Sequence, residues 1–264
     1  MLRPATPADL PRLAELLAEA NDAPYDIRTV AEEKCFGRGA GGDPVVRLFG
    51  DFLGVAVTCG KALRILAVRR EARGKGIGTA LVRDSGAEIV AAEAGNYFTP
   101  GIWTGDPSSL RFFTSRGYRP TADTQNLVAR ELPQQIPAGV LQADPHDRRV
   151  LDFIEQQFGR IWRFEASRAP LLFYVEHGGQ VAGFSAHEAN NRGLGWFGPT
   201  GVAQELRGRG FGRRLLLASL ADLRRRGYRQ AVIPWTDAID FYRKSCGAEV
   251  AERFITLRRY SPQP

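Results

Sequence analysis

The sequence predicts an α/β protein with a mixed sheet, built as two tandem copies of one fold. Three observations predict it. The stretch VRREARGKGIGTALV from Val68 and the stretch VAQELRGRGFGRRLL from Val202 agree at seven of fifteen positions, at a constant offset of 134 in a chain of 264 residues. An offset close to half the chain is what a duplicated domain produces. Each half also repeats one order of helix-like and strand-like segments around that stretch. Between the halves runs ELPQQIPAG from Glu131, a polar, proline-bearing linker. The expected domains are residues 1–132 and 138–264, divided near Gln135.

The elements follow from periodicity. A helix is expected over residues 7–21, because Leu10, Leu13, Leu16 and Leu17 form the stripe of a half-buried helix. Residues 45–49, 52–58 and 63–68 are rich in Val, Ile, Leu and Phe and read as strands. The glycine-rich loop comes next and leads into a helix reaching about residue 94. A strand over 97–103, a short helix over 108–116 and a closing strand over 126–130 complete the first half. The second half repeats this with helical residues 150–168 and strands at 171–176, 180–188 and 194–202. After its loop, Leu216, Leu220 and Leu223 share one helix face, which Gly227 can end. Residues 230–235, 238–245 and 254–257 supply the remaining strand, helix and closing strand.

Composition limits the function classes. A net charge of +7 and a pI near 9.7 imply an anionic partner. The basic residues are nearly all arginine, scattered along the chain, and Arg224, Arg225 and Arg226 complement the negative end of a helix dipole, so nucleic-acid binding is not expected. The first residues lack the apolar core of a secretory signal, and no apolar run reaches the ~18 residues of a membrane span. A cytoplasmic protein with no membrane partner is the expectation. Cys35, Cys59 and Cys246 are odd in number and far apart, and His146, His177 and His187 have no metal-ligand spacing. Neither a disulfide framework nor a metal site is expected.

The chemistry begins at Arg-Gly-x-Gly-x-Gly between a strand and a helix. A helix start leaves backbone N–H groups unpaired, and its dipole favours an anion there. Gly74, Gly76 and Gly78, and again Gly208, Gly210 and Gly212, let backbone approach a pyrophosphate without Cβ atoms in the way. Arg73, Lys75, Arg207 and Arg209 are placed to add charge-assisted contacts, and Ile77, Phe211 and Arg213 open the two helices. A Walker A loop would need Ser or Thr after Lys75, and a dinucleotide fingerprint would need glycine at Thr79 and Arg213. RNA-binding segments of the RGG type are repetitive and disordered, whereas RGRGFGRR occurs once and enters an amphipathic helix.

A strand ending in valine, four residues, then Arg-Gly-x-Gly-x-Gly and a helix resembles the acetyl-CoA motif of the GNAT acetyltransferases, and it occurs twice. The resemblance implies acetyl-CoA as cofactor, with its pyrophosphate on the loop and its pantetheine against the strand edge at Ala67 and Val68, or Gly201 and Val202. A second family motif, roughly Asn-x-x-Ala-x-x-Phe-Tyr, is similar to the residues around Ala238, Phe241 and Tyr242, with Trp235 in place of the asparagine. The resemblance gives Tyr242 the role of the acid that protonates the departing thiolate. The alternative is a core aromatic. In the first half Phe113 stands there and has no proton to give, so that copy reads as degenerate and the second as catalytic. His187 and Glu188 are candidates for a general base, or simply a pair at a strand end. The stretches FGPTGV from Phe197, GYRQAVIPW from Gly227 and FYRKSCGAEV from Phe241 together resemble bacterial tandem acetyltransferases acting on glucosamine or cell-wall glucosaminides, with mycothiol synthase-like and aminoglycoside-type acceptors as alternatives. The expected activity is N-acetylation of a primary amine on a small molecule, an amino sugar among the candidates. A non-catalytic acyl-CoA-binding sensor or scaffold is the alternative.

Overall fold

The structure is a computed structural model that describes residues 1–259. In chain order the elements are β1 (Leu2–Pro4), α1 (Leu10–Ala20), α2 (Ile27–Phe36), β2 (Val45–Phe49), β3 (Gly54–Cys59), β4 (Ala62–Val68), α3 (Ile77–Ser85), β5 (Ile89–Val90), β6 (Ile102–Trp103), α4 (Pro107–Thr114), β7 (Arg119–Ala129), β8 (Leu141–Ala143), α5 (Arg148–Phe158), α6 (Arg160–Ala166), β9 (Leu172–His177), β10 (Gln180–His187), β11 (Phe197–Val202), α7 (Phe211–Arg225), β12 (Ala231–Ile233), α8 (Ile239–Cys246) and β13 (Glu249–Arg258).

The described chain divides into two compact units, Met1–Thr124 with Glu252–Arg259, and Gln125–Ala251. In the first, β1, β2, β3 and β4 pair antiparallel in sequence order. β4 then meets β5 in parallel, but only at Ala62–Ile89 and Leu63–Val90. Beyond that point, among the described residues, this edge of β4 has no strand partner. α3 covers β3 and β4 with Ile77, Leu81 and Val82, which join Leu63, Val90, Phe113 and Tyr118 in one apolar core. In the second unit β8, β9, β10 and β11 form an antiparallel sheet. A single parallel bridge, Trp196–Val232, joins the start of β11 to β12. α7 lays Leu215 and Ala218 on one part of the core and Leu216, Leu220 and Leu223 on another.

The closing strands depart from chain order. Residues 254–257, expected to end the second half, lie in β13, where Leu257 pairs with Val90 and Phe254 with Trp103 of the first unit. Conversely, Leu127, Val128 and Ala129 of β7 pair with Ile233, Val232 and Ala231 of the second unit. Burial decides this. Leu257 is enclosed by the first unit's core, and Leu127 and Ala129 by the second's. Grouped by contact, the units therefore differ from the chain-order division at residues 132 and 138.

Smaller departures have local causes. The helix expected to run to residue 94 stops at Gly86, which takes a left-handed conformation at φ 59°. The strand expected over 97–103 is confined to β6. α2 has no clear apolar stripe because Lys34 sits on its buried face, its Nζ held by Asn96 Oδ1 at 2.8 Å and Glu33 Oε1 at 2.9 Å. Among the described residues no helix is long and apolar enough to cross a membrane, and no group of three His, Cys, Asp or Glu is arranged to hold a metal ion.

Candidate functional site

The two glycine loops have nearly the same backbone geometry. After β4 a short turn over Arg70–Ala72 leads to Gly74 at φ 76° and Gly76 at φ 79°. After β11 the turn Gln204–Leu206 leads to Gly208 and Gly210, both at φ 81°. Only glycine adopts these angles without strain. A Cβ at any of the four would meet nothing within 4 Å, so the space above each loop is open. No side chain caps α3 or α7. The first helical bonds run from Ala80 N–H to Gly76 and from Arg214 N–H to Gly210, which leaves the preceding N–H groups of each first turn for an external acceptor.

Side chains around the loops take roles that their residue types alone do not reveal. Ile77 and Phe211 are buried and anchor the helices, contributing only their N–H groups. Arg73 Nε donates to the Val68 carbonyl at 3.2 Å, and Arg207 Nε faces that of Val202 at 3.4 Å. These two arginines reach back to the strand ends through Nε, and both are exposed beside the loops. Lys75, Arg209 and Arg213 are exposed.

What surrounds the loops differs between the units. In the first, a cleft of about 410 Å³ runs along Ala67, Val68, Gly74, Gly76 and Gly78 to Phe112 and Arg116. It shares Ala67, Asp106 and Phe113 with a second cavity of about 150 Å³, which enters the gap where β4 parts from β5. In the second unit an aromatic ring sits on β11 at Gly201. A Cβ on Gly201 would lie only 2.4 Å from the Phe158 ring, which stacks on Trp162 at 5.0 Å between centroids.

Tyr242 projects from α8 into the core of the second unit and is 7% exposed. Its ring meets Phe197 edge-on at 6.2 Å and Phe241 at 5.0 Å. Burial, reinforced by the Cys246 thiol and opposed by the Thr236 hydroxyl, pushes the phenol up to about 12. It is a neutral O–H at any ordinary pH. Phe113, on α4, is equally enclosed but lines both cavities of its unit.

His187 and Glu188 are not at the loop. His187 has no exposed surface, and its Nε2 lies 3.0 Å from Asp222 Oδ2. Asp222 is eleven residues along α7 from Phe211, about 16 Å from the glycine loop at 1.5 Å per residue. Antiparallel pairing puts Val202 opposite Gly183 and His187 opposite Phe197, so the histidine is at the far end of the strand pair from the loop. Glu188 accepts from the backbone N–H of Trp196 at 3.0 Å and of Gly193, and from the Tyr228 hydroxyl at 2.7 Å. It ties the β10–β11 connection.

Sequence reasoning missed Thr79, Ser108, Ser109 and Arg116, which line the first unit's cleft. Asp106-Pro107-Ser108-Ser109 is a readable helix start, and Asp106 Oδ1 does accept from Ser109 N–H at 3.0 Å. Nothing in that pattern says the helix start faces a cleft.

Residues 138–248 match the model of the Acetyltransferase (GNAT) family. Among solved structures, the chain is similar to a GCN5-related N-acetyltransferase from Sphaerobacter thermophilus, with 23% identity, a TM-score of 0.66 and coverage of 98% of this chain and 95% of that one. A tandem GNAT protein from the clavulanic acid biosynthesis pathway gives 16% identity and a TM-score of 0.66, covering 100% and 99%. A GCN5-related glucosamine N-acetyltransferase region in a fungal multi-domain GH3 beta-N-acetylglucosaminidase gives 17% identity and a TM-score of 0.73; the match covers 97% of this chain and 38% of that one. At these identities the likeness is one of fold. No curated protein matches in sequence.

Proposed function

We propose that the chain, whose residues 138–248 match the Acetyltransferase (GNAT) family model, is an N-acetyltransferase that moves the acetyl group of acetyl-CoA to a primary amine of a small molecule, using two GNAT-type units in tandem. The observation that carries this is the repeated loop: left-handed glycines, an uncapped helix start and open space where an anion would sit. Backbone N–H groups over residues 74–79 and 208–213 hold pyrophosphate. Ala67, Val68, Gly201 and Val202 offer strand-edge groups to the pantetheine amides.

Bound acetyl-CoA supplies an activated acyl group as its thioester. The amine nitrogen bonds to the acyl carbon, the C–S bond breaks, and sulfur leaves with its electron pair. Tyr242 is the donor we assign to this sulfur: burial keeps its phenol protonated, so the proton is present when the thiolate departs. The amine proton leaves to water, since His187 and Glu188 are committed elsewhere. An amino sugar is the acceptor we favour. Two likenesses support it: that of the second half to glucosaminide acetyltransferases, and that of the fold to the fungal glucosamine N-acetyltransferase region.

Mass detection of acetylated product across glucosamine, chitobiose amines, aminoglycosides and lysine peptides tests the reading. Product formed on an amine and lost in Tyr242→Phe is expected. Bound acetyl-CoA with no product on any acceptor favours the second reading, an acyl-CoA sensor. The observation behind that reading is the first unit, which has an open cleft and a phenylalanine where the phenol would be.

A further inference from the structure

We propose that the second unit carries a separate anion site, remote from its glycine loop, which binds a small molecule through a phosphate ester. A cavity of about 560 Å³ lies among the end of α6, the β10–β11 connection and the end of α7, lined by Arg168, Arg192, Arg226, His146, Tyr228 and Glu188. α7 has fifteen residues, so Arg226 at its end is about 22 Å from the glycine loop at its start. The cavity is therefore no part of the acyl-CoA site, and the inference does not depend on that reading.

Three guanidinium groups reach this concavity from three separate segments, and among the described residues lining it Glu188 is the carboxylate set against them. Gathering like charges costs energy that an anion between them recovers. The arrangement is also held in place. Arg192 Nη2 donates to the Arg168 carbonyl at 2.5 Å, and Arg226 Nε donates to Asp222 Oδ2 at 2.6 Å. Asp222 stands behind Arg226 and is shared with His187. Glu188 turns its oxygens to its own connection, accepting from the Gly193 and Trp196 N–H groups and from the Tyr228 hydroxyl. Its backbone is left-handed at φ 53°, a strained conformation for a residue other than glycine, in the very connection that presents Arg192. Strain of this kind persists where the surrounding structure fixes it, and ligand clamps are a common setting. A tetrahedral phosphate offers oxygens in several directions, which suits planar forks arriving from three sides better than the single plane of a carboxylate. The cavity is wider than a lone phosphate fills, so the ligand carries an organic part, with Tyr228 as an aromatic wall.

The test is calorimetric titration of the full chain, in saturating coenzyme A so that the glycine loops are occupied, with glucose 6-phosphate, glucose and inorganic phosphate as probes. The wild type should bind glucose 6-phosphate at one site, more tightly than inorganic phosphate, and should not bind glucose. Arg168→Gln combined with Arg192→Gln should weaken that binding by roughly tenfold or more, and so should Arg192→Glu, a single change at an exposed position. Coenzyme A binding should be the same in the variants as in the wild type. No binding of either phosphate probe, or binding unchanged in Arg192→Glu, overturns the proposal, and inorganic phosphate bound as tightly as the ester overturns the assignment to an ester. If coenzyme A itself fails to bind, the acyl-CoA reading falls, and the loss of glucose 6-phosphate binding in Arg192→Glu still decides this proposal.

Discussion

The first unit has an open cleft lined by Phe113, and the second has Tyr242 at the matching position and Phe158 lying on β11 at Gly201. Their glycine loops differ by only a few degrees in φ, yet Phe113 lines two cavities while Tyr242 is packed among Phe197, Leu216 and Leu220. The contrast teaches that a binding loop is a local device, fixed by where glycine stands. A reaction site is not local, because its acid, its walls and its access come from separate elements.

The sharpest way to break this comparison is at the phenol. If Tyr242 is the acid, Tyr242→Phe should lower kcat by about 10²–10⁴-fold and leave acetyl-CoA affinity unchanged. Steady-state kinetics with a parallel titration reads both. An unchanged kcat would make Tyr242 a core aromatic like its counterpart.

Next in size is the ionic chain in the second unit. Hydrogen bonding to His187, and then to Arg226, holds the Asp222 carboxyl down at about 2 against an ordinary 3.8. Asp222→Asn should cost about 3 kcal/mol, read from the urea midpoint, because it leaves Arg226 and His187 without a charged partner. Since folding lowers this pKa, the wild-type stability it contributes is complete above pH 4 and is lost as pH falls toward 2. The loss is about 2 kcal/mol over that window, and the Asn variant should lack it.

Gly210 stands at φ 81°, where any side chain costs about 1–2 kcal/mol. Gly210→Val should remove one acetyl-CoA site from a titration of the full chain and spare the site at Gly74–Gly78. Loss of both sites, or of neither, would show that the loops do not bind independently.

The smallest effect compares the third glycines. A methyl on Gly212 would lie 3.5 Å from Phe241, an ordinary contact, so Gly212→Ala should stabilise by up to about 1 kcal/mol through helix propensity. On Gly78 it would lie 3.1 Å from a Phe112 ring held under Arg116, and the gain should vanish. Thermal unfolding of the two variants, side by side, measures the difference.

Several elements were legible in the sequence to within a few residues. β2 matches its expected bounds, and α1, β4, α7 and α8 lie close to theirs, because each carries a clean period or a glycine at its end. α2 was hidden by buried Lys34, and β1 and β8 are three-residue strands with no pattern of their own. In the site, the loop glycines were legible, while Arg116 looked like any other surface arginine. The partners of His187 and Glu188 were not legible, because a strand's alternation tells which face a residue takes but not which helix or loop packs against it.

By itself the sequence determined where backbone N–H groups would be left unpaired. Glycines at left-handed positions followed by an uncapped helix produce that result from local sterics alone. Only the tertiary structure decided the rest: that Phe158 lies on Gly201, that Arg116 faces the first cleft, that Asp222 claims His187, and that β7 and β13 close the sheets they do. Each of these joins residues far apart in the chain. Their pairing is chosen by the burial and hydrogen bonding each side chain gains in the packed molecule, which no short stretch of sequence contains.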